Sequence, residues 1–189
     1  MNSTTLFWRR IDEVGLERLE LHPEPGGLTA SSTVLCLEAG GFRLEHRWRL
    51  APDWRVLALQ VERWGAAGHA RLSIERHDDR WFVDGAHRPD LDGAEEPDLS
   101  VTPFCNAVPI RRLPAETGAT LTLDTCYVDG PALTVTHSSQ RYLRLGPNRV
   151  RYVDLGVASG FEADLELDDE GLVLGYEHLF ERVDPAVGR

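Results

Sequence analysis

Apolar and polar residues alternate with a period of two along most of this chain, which is the pattern of β-strands with one buried face. In the segment FRLEHRWRL, residues 42–50, the aromatic and aliphatic residues and His46 share one face, whereas arginine and glutamate residues share the other. Two alternating runs around a polar turn predict a hairpin at 161–176. The same pattern predicts further strands at 55–64, twice within 69–85, at 119–129 and twice within 132–155.

The turns between these runs are short, so the predicted strands form an antiparallel sheet. Two segments rich in glycine, proline or acidic residues, 22–27 and 89–98, are predicted as loops. A helical turn fits the pattern at one further place, YEHLFERV, residues 176–183. Since a long antiparallel sheet twists and then curls or closes, we predict an all-β fold whose concave apolar face has to be filled.

The alternation stops in the segment DLSVTPFCNAVPIRRL. Thr102 supplies a hydroxyl that can cap a helix, and Pro103 follows at the first helical position, where a missing N–H costs nothing. Phe104 and Val108 are then spaced to share a helical face. We predict that residues 102–112 form the only substantial helix and that this short apolar helix fills the curled sheet.

The chain has 189 residues, which suits a single domain over 1–189 with a core that needs neither a disulfide nor a metal. Its net charge of −11 disfavours binding to nucleic acid or to anionic membranes. All 20 basic residues are arginine, whose planar guanidinium suits carboxylates and phosphates. The N-terminus lacks the pattern of a signal peptide, no apolar run is long enough to be a transmembrane segment, and three scattered cysteines indicate reduced thiols, so we expect a cytoplasmic protein.

Motifs for nucleophilic catalysis, nucleotide binding or metal ligation do not occur, so we predict no catalytic residue, no cofactor and no metal. FEADLEL, residues 161–167, places three carboxylates on one strand face. That arrangement favours a solvated row over the opposed carboxylates of a glycosidase. We place this row near an arginine row such as Arg43, Arg47 and Arg49, as cross-strand pairs. His46, among inward apolar residues, is interpreted as a hydrogen-bonded core histidine.

Seven residues are candidates for ligand binding. An amide within an apolar helix and two arginines at its end need polar partners, which makes Asn106, Arg111 and Arg112 candidates for holding a head group. The same side chains could instead satisfy backbone carbonyls at the helix end or the acidic pair at 95–96, and both interpretations stay open. The candidates for an apolar or aromatic wall are Trp48, Phe104, Val108 and Tyr142.

Three long blocks of the chain resemble the bacterial putative glycolipid-binding family: DLSVTPFCNAVPIRRL at 98–113, QRYLRLGPNRVRYVD at 140–154 and FEADLELDDEGLVLGYEHLFERV at 161–183. FRLEHRWRLAPDWRVLALQVE at 42–62 also fits in order and spacing. The resemblance implies a spiral β-roll, in which a long antiparallel sheet wraps around a single helix at 102–112, and it implies a homodimer. It assigns neither catalytic residues nor a ligand.

We therefore interpret the chain as a non-enzymatic protein that binds a lipid-like or glycolipid-like amphiphile between sheet and helix. Two other classes stay open, an enzyme acting on a small amphipathic substrate in the same cavity and a dimeric scaffold with a packed, ligand-free core. The size and lining of the cavity between sheet and helix distinguish these three classes of protein. A roomy apolar cavity with a polar mouth indicates binding, a tight core indicates a scaffold, and facing titratable groups with shifted pKa values indicate an enzyme.

Overall fold

The computed structural model describes residues 3–185, and of these residues 59% are in strands and 9% are helical. One mostly antiparallel sheet of 15 strands curls around a short helix without closing into a barrel. The strands are β1 (Thr4–Arg10), β2 (Gly15–Glu24), β3 (Gly27–Cys36), β4 (Phe42–Leu50), β5 (Val56–Gly65), β6 (Gly68–His77), β7 (Arg80–Val83), β8 (Ala86–His87), β9 (Glu96–Leu99), β10 (Thr120–Asp129), β11 (Thr134–Gly146), β12 (Arg149–Asp154), β13 (Glu162–Leu167), β14 (Val173–Tyr176) and β15 (Phe180–Arg182).

The sheet consists of two meanders joined in the middle. Strands β1 to β8 pair in chain order, β9 to β15 do the same, and β1 pairs antiparallel with β15 to unite them. The edges of the sheet are therefore β8 and β9. The pair β9–β10 is parallel, because the chain between these two strands passes through the helix and returns in the same direction.

The predicted fold class is confirmed, and every strand that the alternation predicted between residues 42 and 176 is present. The first 41 residues, to which the alternation assigned no strand, contribute the long strands β1, β2 and β3. The predicted loop at 22–27 is wrong in part, because strand pairing runs to Glu24 and resumes at Gly27. The predicted helical turn at 176–183 is wrong, since Tyr176 and Phe180 are partners in the β14–β15 ladder.

The predicted loop at 89–98 is also wrong in part. It contains a 3₁₀ turn, Pro89–Leu91, and then β9, whose backbone pairs with β10. The acidic and proline-rich composition of this segment concealed the strand, because β9 is an edge strand and edge positions tolerate proline and charge.

The predicted helix is present in two parts, a 3₁₀ turn (Pro103–Asn106) that leads directly into the single α-helix of residues 3–185, α1 (Ala107–Arg112). Thr102 caps this segment, since its hydroxyl accepts a hydrogen bond from the backbone N–H of Phe104 at 3.1 Å. Pro109 is the third residue of α1, where a backbone N–H would have no partner within that helix. Pro109 therefore removes no hydrogen bond between residues of α1.

The helix fills the concave face of the sheet as predicted. Phe104 is only 1% exposed and packs edge-on against Trp48 of β4, with ring centroids 5.7 Å apart. Val108 is also buried, and both residues belong to one continuous apolar core that includes side chains from both meanders. The helix thus supplies the apolar surface that a curled sheet needs on its inner side.

A buried hydrogen-bond network fixes the start of the helical segment to the sheet. The Glu17 Oε1 atom in β2 accepts bonds from the hydroxyls of Ser32 at 2.7 Å and Thr102 at 2.9 Å, and from the His46 Nε2 at 3.0 Å. The Trp48 indole N–H donates to His46 Nδ1 at 2.8 Å, so the imidazole proton lies on Nε2 and points at Glu17. His46 is thus the inward, hydrogen-bonded histidine that its position in the pattern indicated.

Glu96 connects the edge strand β9 to the opposite meander. Its Oε2 atom accepts a hydrogen bond from the backbone N–H of Val56, the first residue of β5, at 3.0 Å. Burial raises the pKa of Glu96 to about 7, although the Val56 N–H and the nearby Arg112 favour the charged form. The contact between β9 and β5 is therefore made by a carboxyl group that titrates near neutrality.

Stability is expected to fall as the pH rises from about 5 to about 8. A carboxyl whose pKa is raised in the folded protein binds its proton more tightly there than in the unfolded chain, so the stabilisation present at low pH is lost through a folded-state pKa of about 7. At about 1.4 kcal/mol per pKa unit, Glu96 accounts for roughly 2–3 kcal/mol. Urea unfolding at the two pH values measures the loss.

Glu96→Gln should remove the part of this dependence that Glu96 contributes, because an amide does not titrate and its oxygen still accepts the Val56 N–H. A smaller dependence of the same sign should remain from Asp98, whose pKa is raised to about 6. Glu116→Gln is the control, since Glu116 is exposed and should leave the profile unchanged. If the stability of the Glu96→Gln variant fell with pH as steeply as that of the wild type, Glu96 would not be the cause of the dependence.

Candidate ligand-binding pocket

A cavity of about 230 Å³ lies between the helical segment and the second meander. Side chains from β9, the 3₁₀ turn, β10, β12 and β14 reach it, together with the loop that follows β12. We call it the tyrosine pocket and define it by Asp98, Cys105, Asn106, Tyr127, Tyr152, Asp154, Val157, Ala158, Phe161, Tyr176 and Phe180.

Aromatic rings form one wall of the tyrosine pocket. The ring centroid of Tyr152 lies 5.9 Å from that of Tyr176 and 6.2 Å from that of Phe161, and Tyr176 lies 6.3 Å from Phe180. These tilted and edge-on contacts are the favoured geometry of aromatic clusters. The wall is therefore rigid and preformed.

Asp98 provides the titratable group of the pocket. It is half-buried, and its Oδ1 atom accepts a hydrogen bond from the Cys105 thiol at 3.0 Å. Burial, with a smaller contribution from the negative charge of Asp154, raises the pKa of Asp98 to about 6. Burial and the negative charge of Asp98 raise the pKa of the Cys105 thiol well above its ordinary value. This thiol therefore stays protonated and is a poor nucleophile.

Asp154 shapes the rim of the pocket. One carboxylate oxygen accepts the backbone N–H groups of Gly156 at 2.7 Å and Ala158 at 3.1 Å, and the other accepts the Tyr152 hydroxyl at 3.2 Å. The loop after β12 is thereby held in one conformation over the aromatic wall. Asp154 contributes negative charge to the site, although its oxygens are already occupied by the protein.

Of the seven predicted ligand-binding residues, Asn106 lines the tyrosine pocket. Its side-chain oxygen accepts the hydroxyl of Tyr142 at 2.8 Å, and its amide nitrogen donates to the Pro103 carbonyl at 3.3 Å. Tyr142 is fully buried behind Asn106. The structure brings Trp48, Phe104 and Val108 together in the packed core, away from the pocket.

Arg111 and Arg112 both contact the protein itself. The Arg111 guanidinium lies over the Trp54 ring, 3.6 Å from its centroid, and donates to the Glu170 carbonyl at 2.6 Å. Arg112 donates to Glu95 at 2.7 Å and lies 3.7 Å from Glu96, the acidic pair that sequence analysis offered as one alternative. Neither arginine lines the tyrosine pocket.

The carbonyl groups at the end of α1 are bound by a residue that sequence analysis did not single out. Arg144 of β11 donates to the carbonyls of Ile110 and Leu113 at 3.4 Å each and to that of Pro147 at 3.2 Å. Arg144 faces inward and is buried, so its guanidinium has lost hydrogen bonds to water. The carbonyl groups replace those hydrogen bonds. This contact joins β11 to the end of α1, more than 30 residues earlier in the chain, so no local sequence pattern indicates it.

The arginine partners predicted for the carboxylate row are wrong. Asp164 pairs with Arg149 at 2.5 Å and Arg151 at 2.7 Å, both on the adjacent strand β12. Arg43, on the other meander, instead lies over the Trp64 ring, 4.0 Å from its centroid. The prediction of cross-strand pairing was sound, but sequence could not say which strands are neighbours.

The residues that sequence analysis missed are those that meet only in three dimensions. The sequence pattern puts Asp98 in a predicted loop, treats Cys105 as one of three scattered thiols, and does not single out Tyr152. The inward positions of Tyr152 and Tyr176 on alternating strands mark them as buried. Their convergence on Asp98 depends on strand order.

Two other structural features are absent from residues 3–185. No group of three or more histidine, cysteine, aspartate or glutamate side chains lies close enough together to hold a metal ion within these residues. No helix in this range has the length and apolar character that crossing a membrane requires.

Comparisons with known proteins agree with the fold described above. The chain is similar to a DUF1089 family protein from Pseudomonas aeruginosa, whose crystal structure superposes with a TM-score of 0.77 at 30% sequence identity, covering 88% of this chain and 92% of that one. No curated protein matches the chain. The sequence model of the family described as "Putative glycolipid-binding" matches residues 5–182. The chain therefore belongs to the putative glycolipid-binding family.

Proposed function

We propose that this chain is a non-enzymatic protein that binds a lipid-like or glycolipid-like amphiphile at the tyrosine pocket, without a cofactor. The observation that carries this proposal is a preformed cavity with an aromatic wall, one half-buried carboxyl group and a predominantly apolar lining beside the helix. Apolar, concave sites with a few polar groups are the usual form of small-molecule sites. The family to which the chain belongs supports a binding role.

The size of the pocket limits what it can hold. Small-molecule sites usually measure about 300–1,000 Å³, and the tyrosine pocket, at about 230 Å³, accommodates one small group of the ligand. The opposite side of the helix offers no room for a tail, because Phe104 and Val108 are packed into the core. The ligand's remaining part therefore lies outside the pocket.

The rim of the pocket presents an apolar surface for that remaining part. Val157 lines the pocket and is 46% exposed, and Leu155, two residues before it in the chain, is 42% exposed. A hydrocarbon tail lying over them would gain about 0.8 kcal/mol for each methylene group removed from water. The proposed arrangement thus has a small group inside and a tail along the rim.

One observation favours an enzyme as the second candidate. Asp98, with a pKa raised to about 6, could exchange a proton with a bound substrate near neutral pH. The tyrosine hydroxyls of the pocket are less suited to be its partner, since burial raises the pKa of Tyr152 and of Tyr176 far above neutrality. Binding without turnover therefore remains our first proposal.

We further propose that the chain forms a homodimer in a reducing, cytoplasmic compartment and does not bind nucleic acid. Three buried, unpaired cysteines support a reducing compartment, and the net charge of −11 disfavours binding to nucleic acid.

Exposed apolar residues around the β1–β2 and β3–β4 turns support the homodimer, because such a surface is typical of a protein interface. These residues are Ile11, Val14, Leu16, Leu35 and Leu37. The molecular mass of the protein in solution tests the homodimer.

Ala158→Phe should weaken binding of a neutral amphiphile at least tenfold, because the new ring occupies the mouth of the tyrosine pocket. Ala158 is exposed and lines the pocket, so the larger side chain needs no rearrangement of the core. Titration calorimetry with octyl glucoside below its micellar concentration measures the affinity. Native mass spectrometry of the freshly purified protein shows in addition whether a lipid is retained.

Ser159→Phe is the matched control, since Ser159 is the next exposed residue of the same loop and does not line the pocket. Its affinity should stay within about twofold of wild type. Equal losses in both variants, or binding that neither variant changes, would place the ligand elsewhere. If neither octyl glucoside nor a retained lipid is detected, the scaffold interpretation replaces this one.

A further inference from the structure

We infer that the tyrosine pocket selects an organic cation, an alkylammonium or amino group, as the small group that enters it. This inference rests on the proposed function and narrows it to one head-group charge. Three features of the pocket carry it: an unpaired carboxylate, rings without a cation, and a lining without a basic residue.

The first feature is the carboxylate of Asp98. Within residues 3–185, the only hydrogen bond to its side chain comes from the Cys105 thiol, a weak donor. The carboxylate of Asp164, by contrast, has two guanidinium partners, Arg149 and Arg151. Asp98 is therefore left facing a cavity with acceptor capacity and negative charge that the protein does not satisfy.

The second feature is the aromatic wall. This protein places guanidinium groups over rings elsewhere, with Arg111 at 3.6 Å from the centroid of Trp54 and Arg76 at 4.5 Å from that of Trp81. Such contacts show the attraction of ring faces for cations. Among the described residues, no guanidinium lies over Tyr152, Phe161 or Tyr176, whereas Arg10 lies 5.9 Å from the centroid of the fourth ring of the wall, Phe180. Three of the four rings of the aromatic wall are therefore without a cation of the protein.

The third feature is the charge of the lining. No arginine or histidine lines the pocket, whereas Asp98 and Asp154 both do. An anionic head group would meet two carboxylates and no cation, so it would be repelled. A cation would meet the Asp98 carboxylate and the aromatic rings together. The head group we infer is thus opposite in charge to the phosphate or carboxylate that Arg111 and Arg112 would suit.

A matched pair of small probes tests the inference. Choline and its uncharged isostere 3,3-dimethylbutan-1-ol have nearly the same shape, and they differ in whether the quaternary centre is a charged nitrogen or a neutral carbon. Both are titrated into the full-length protein at about pH 8, where Asp98, with its pKa of about 6, is ionised. Chemical-shift changes in the protein measure each affinity, and choline should bind at least tenfold more tightly than the isostere.

Two variants assign the discrimination to the pocket. Asp98→Asn should remove the preference for choline while retaining weak binding of the isostere, and Phe161→Leu should reduce the preference by removing one ring. Asp79→Asn is the control, because Asp79 is an exposed carboxylate in the β6–β7 turn. Circular dichroism checks that each variant is folded, and the Phe161 variant keeps the test decisive if the Asp98 variant is not.

The outcomes separate this inference from the proposed function. Equal affinity for choline and its isostere would overturn cation selection while octyl glucoside binding still supports the pocket. Binding of methyl glucoside in preference to choline would also overturn it, in favour of hydroxyl groups donated to Asp98. If octyl glucoside, choline and the isostere all fail to bind, the proposed function fails with it.

Discussion

Phe104→Ala is expected to lower the free energy of unfolding by about 3–5 kcal/mol, the range found when a large aromatic side chain is removed from a packed core. Phe104 is almost completely buried and packs against Trp48 and Trp54, with ring centroids 5.7 and 6.2 Å away. These tryptophans belong to the sheet and the turn after β4, so the cavity left by the phenyl ring cannot easily collapse. Urea unfolding followed by tryptophan fluorescence measures the change.

The matched control for Phe104→Ala is Leu174→Ala, an apolar truncation at a residue that is 39% exposed. It should change stability by less than about 0.5 kcal/mol, as exposed substitutions usually do. A similarly small change for Phe104→Ala would contradict the role of this helix as the filling of the roll.

Glu17→Ala is expected to cost a comparable amount, about 3–5 kcal/mol, for a different reason. Three buried donors, on Ser32, Thr102 and His46, lose their common acceptor, and each unsatisfied buried donor costs about 1–3 kcal/mol. Thr102 also caps the helical segment, so the loss extends from the sheet to the helix. Chemical denaturation measures the stability, and NMR of the Trp48 indole N–H reports on the network directly.

Glu20→Ala tests whether the network, and not the charge of the strand, is responsible. Glu20 lies on the same strand, faces outward and pairs with Arg18 at 2.8 Å near the surface. Exposed pairs of this kind contribute about 0–1 kcal/mol. If Glu20→Ala destabilised the protein as much as Glu17→Ala, the buried network would not be the cause.

The local pattern of residues was sufficient for most elements between residues 42 and 176, although it missed β1, β2 and β3. Alternation identified the strands from residue 42 to 176, and a hydroxyl, a proline and helical spacing at Thr102, Pro103, Phe104 and Val108 identified the one helix. Both signals act over a few residues, through the pleat of a strand and the capping of a helix. The edge strand β9 escaped because proline and acidic residues dominate its sequence.

Strand order and the candidate site depended on contacts between residues far apart in the chain. Nothing local indicates that β1 pairs with β15, yet this pairing joins the two meanders and curls the sheet around the helix. Arg144, not Arg111 or Arg112, binds the carbonyls at the helix end, because β11 passes there.

The sequence alone determined that this is an all-β protein with one short apolar helix at its centre, because hydrophobic periodicity and helix capping act locally. Only the tertiary structure decided that Asp98, Tyr152 and Tyr176 surround one pocket. These residues come from separate strands, and their chemistry depends on which side chains long-range pairing places beside them. A lone aspartate in an acidic segment becomes a half-buried, unpaired carboxylate only when the roll encloses it.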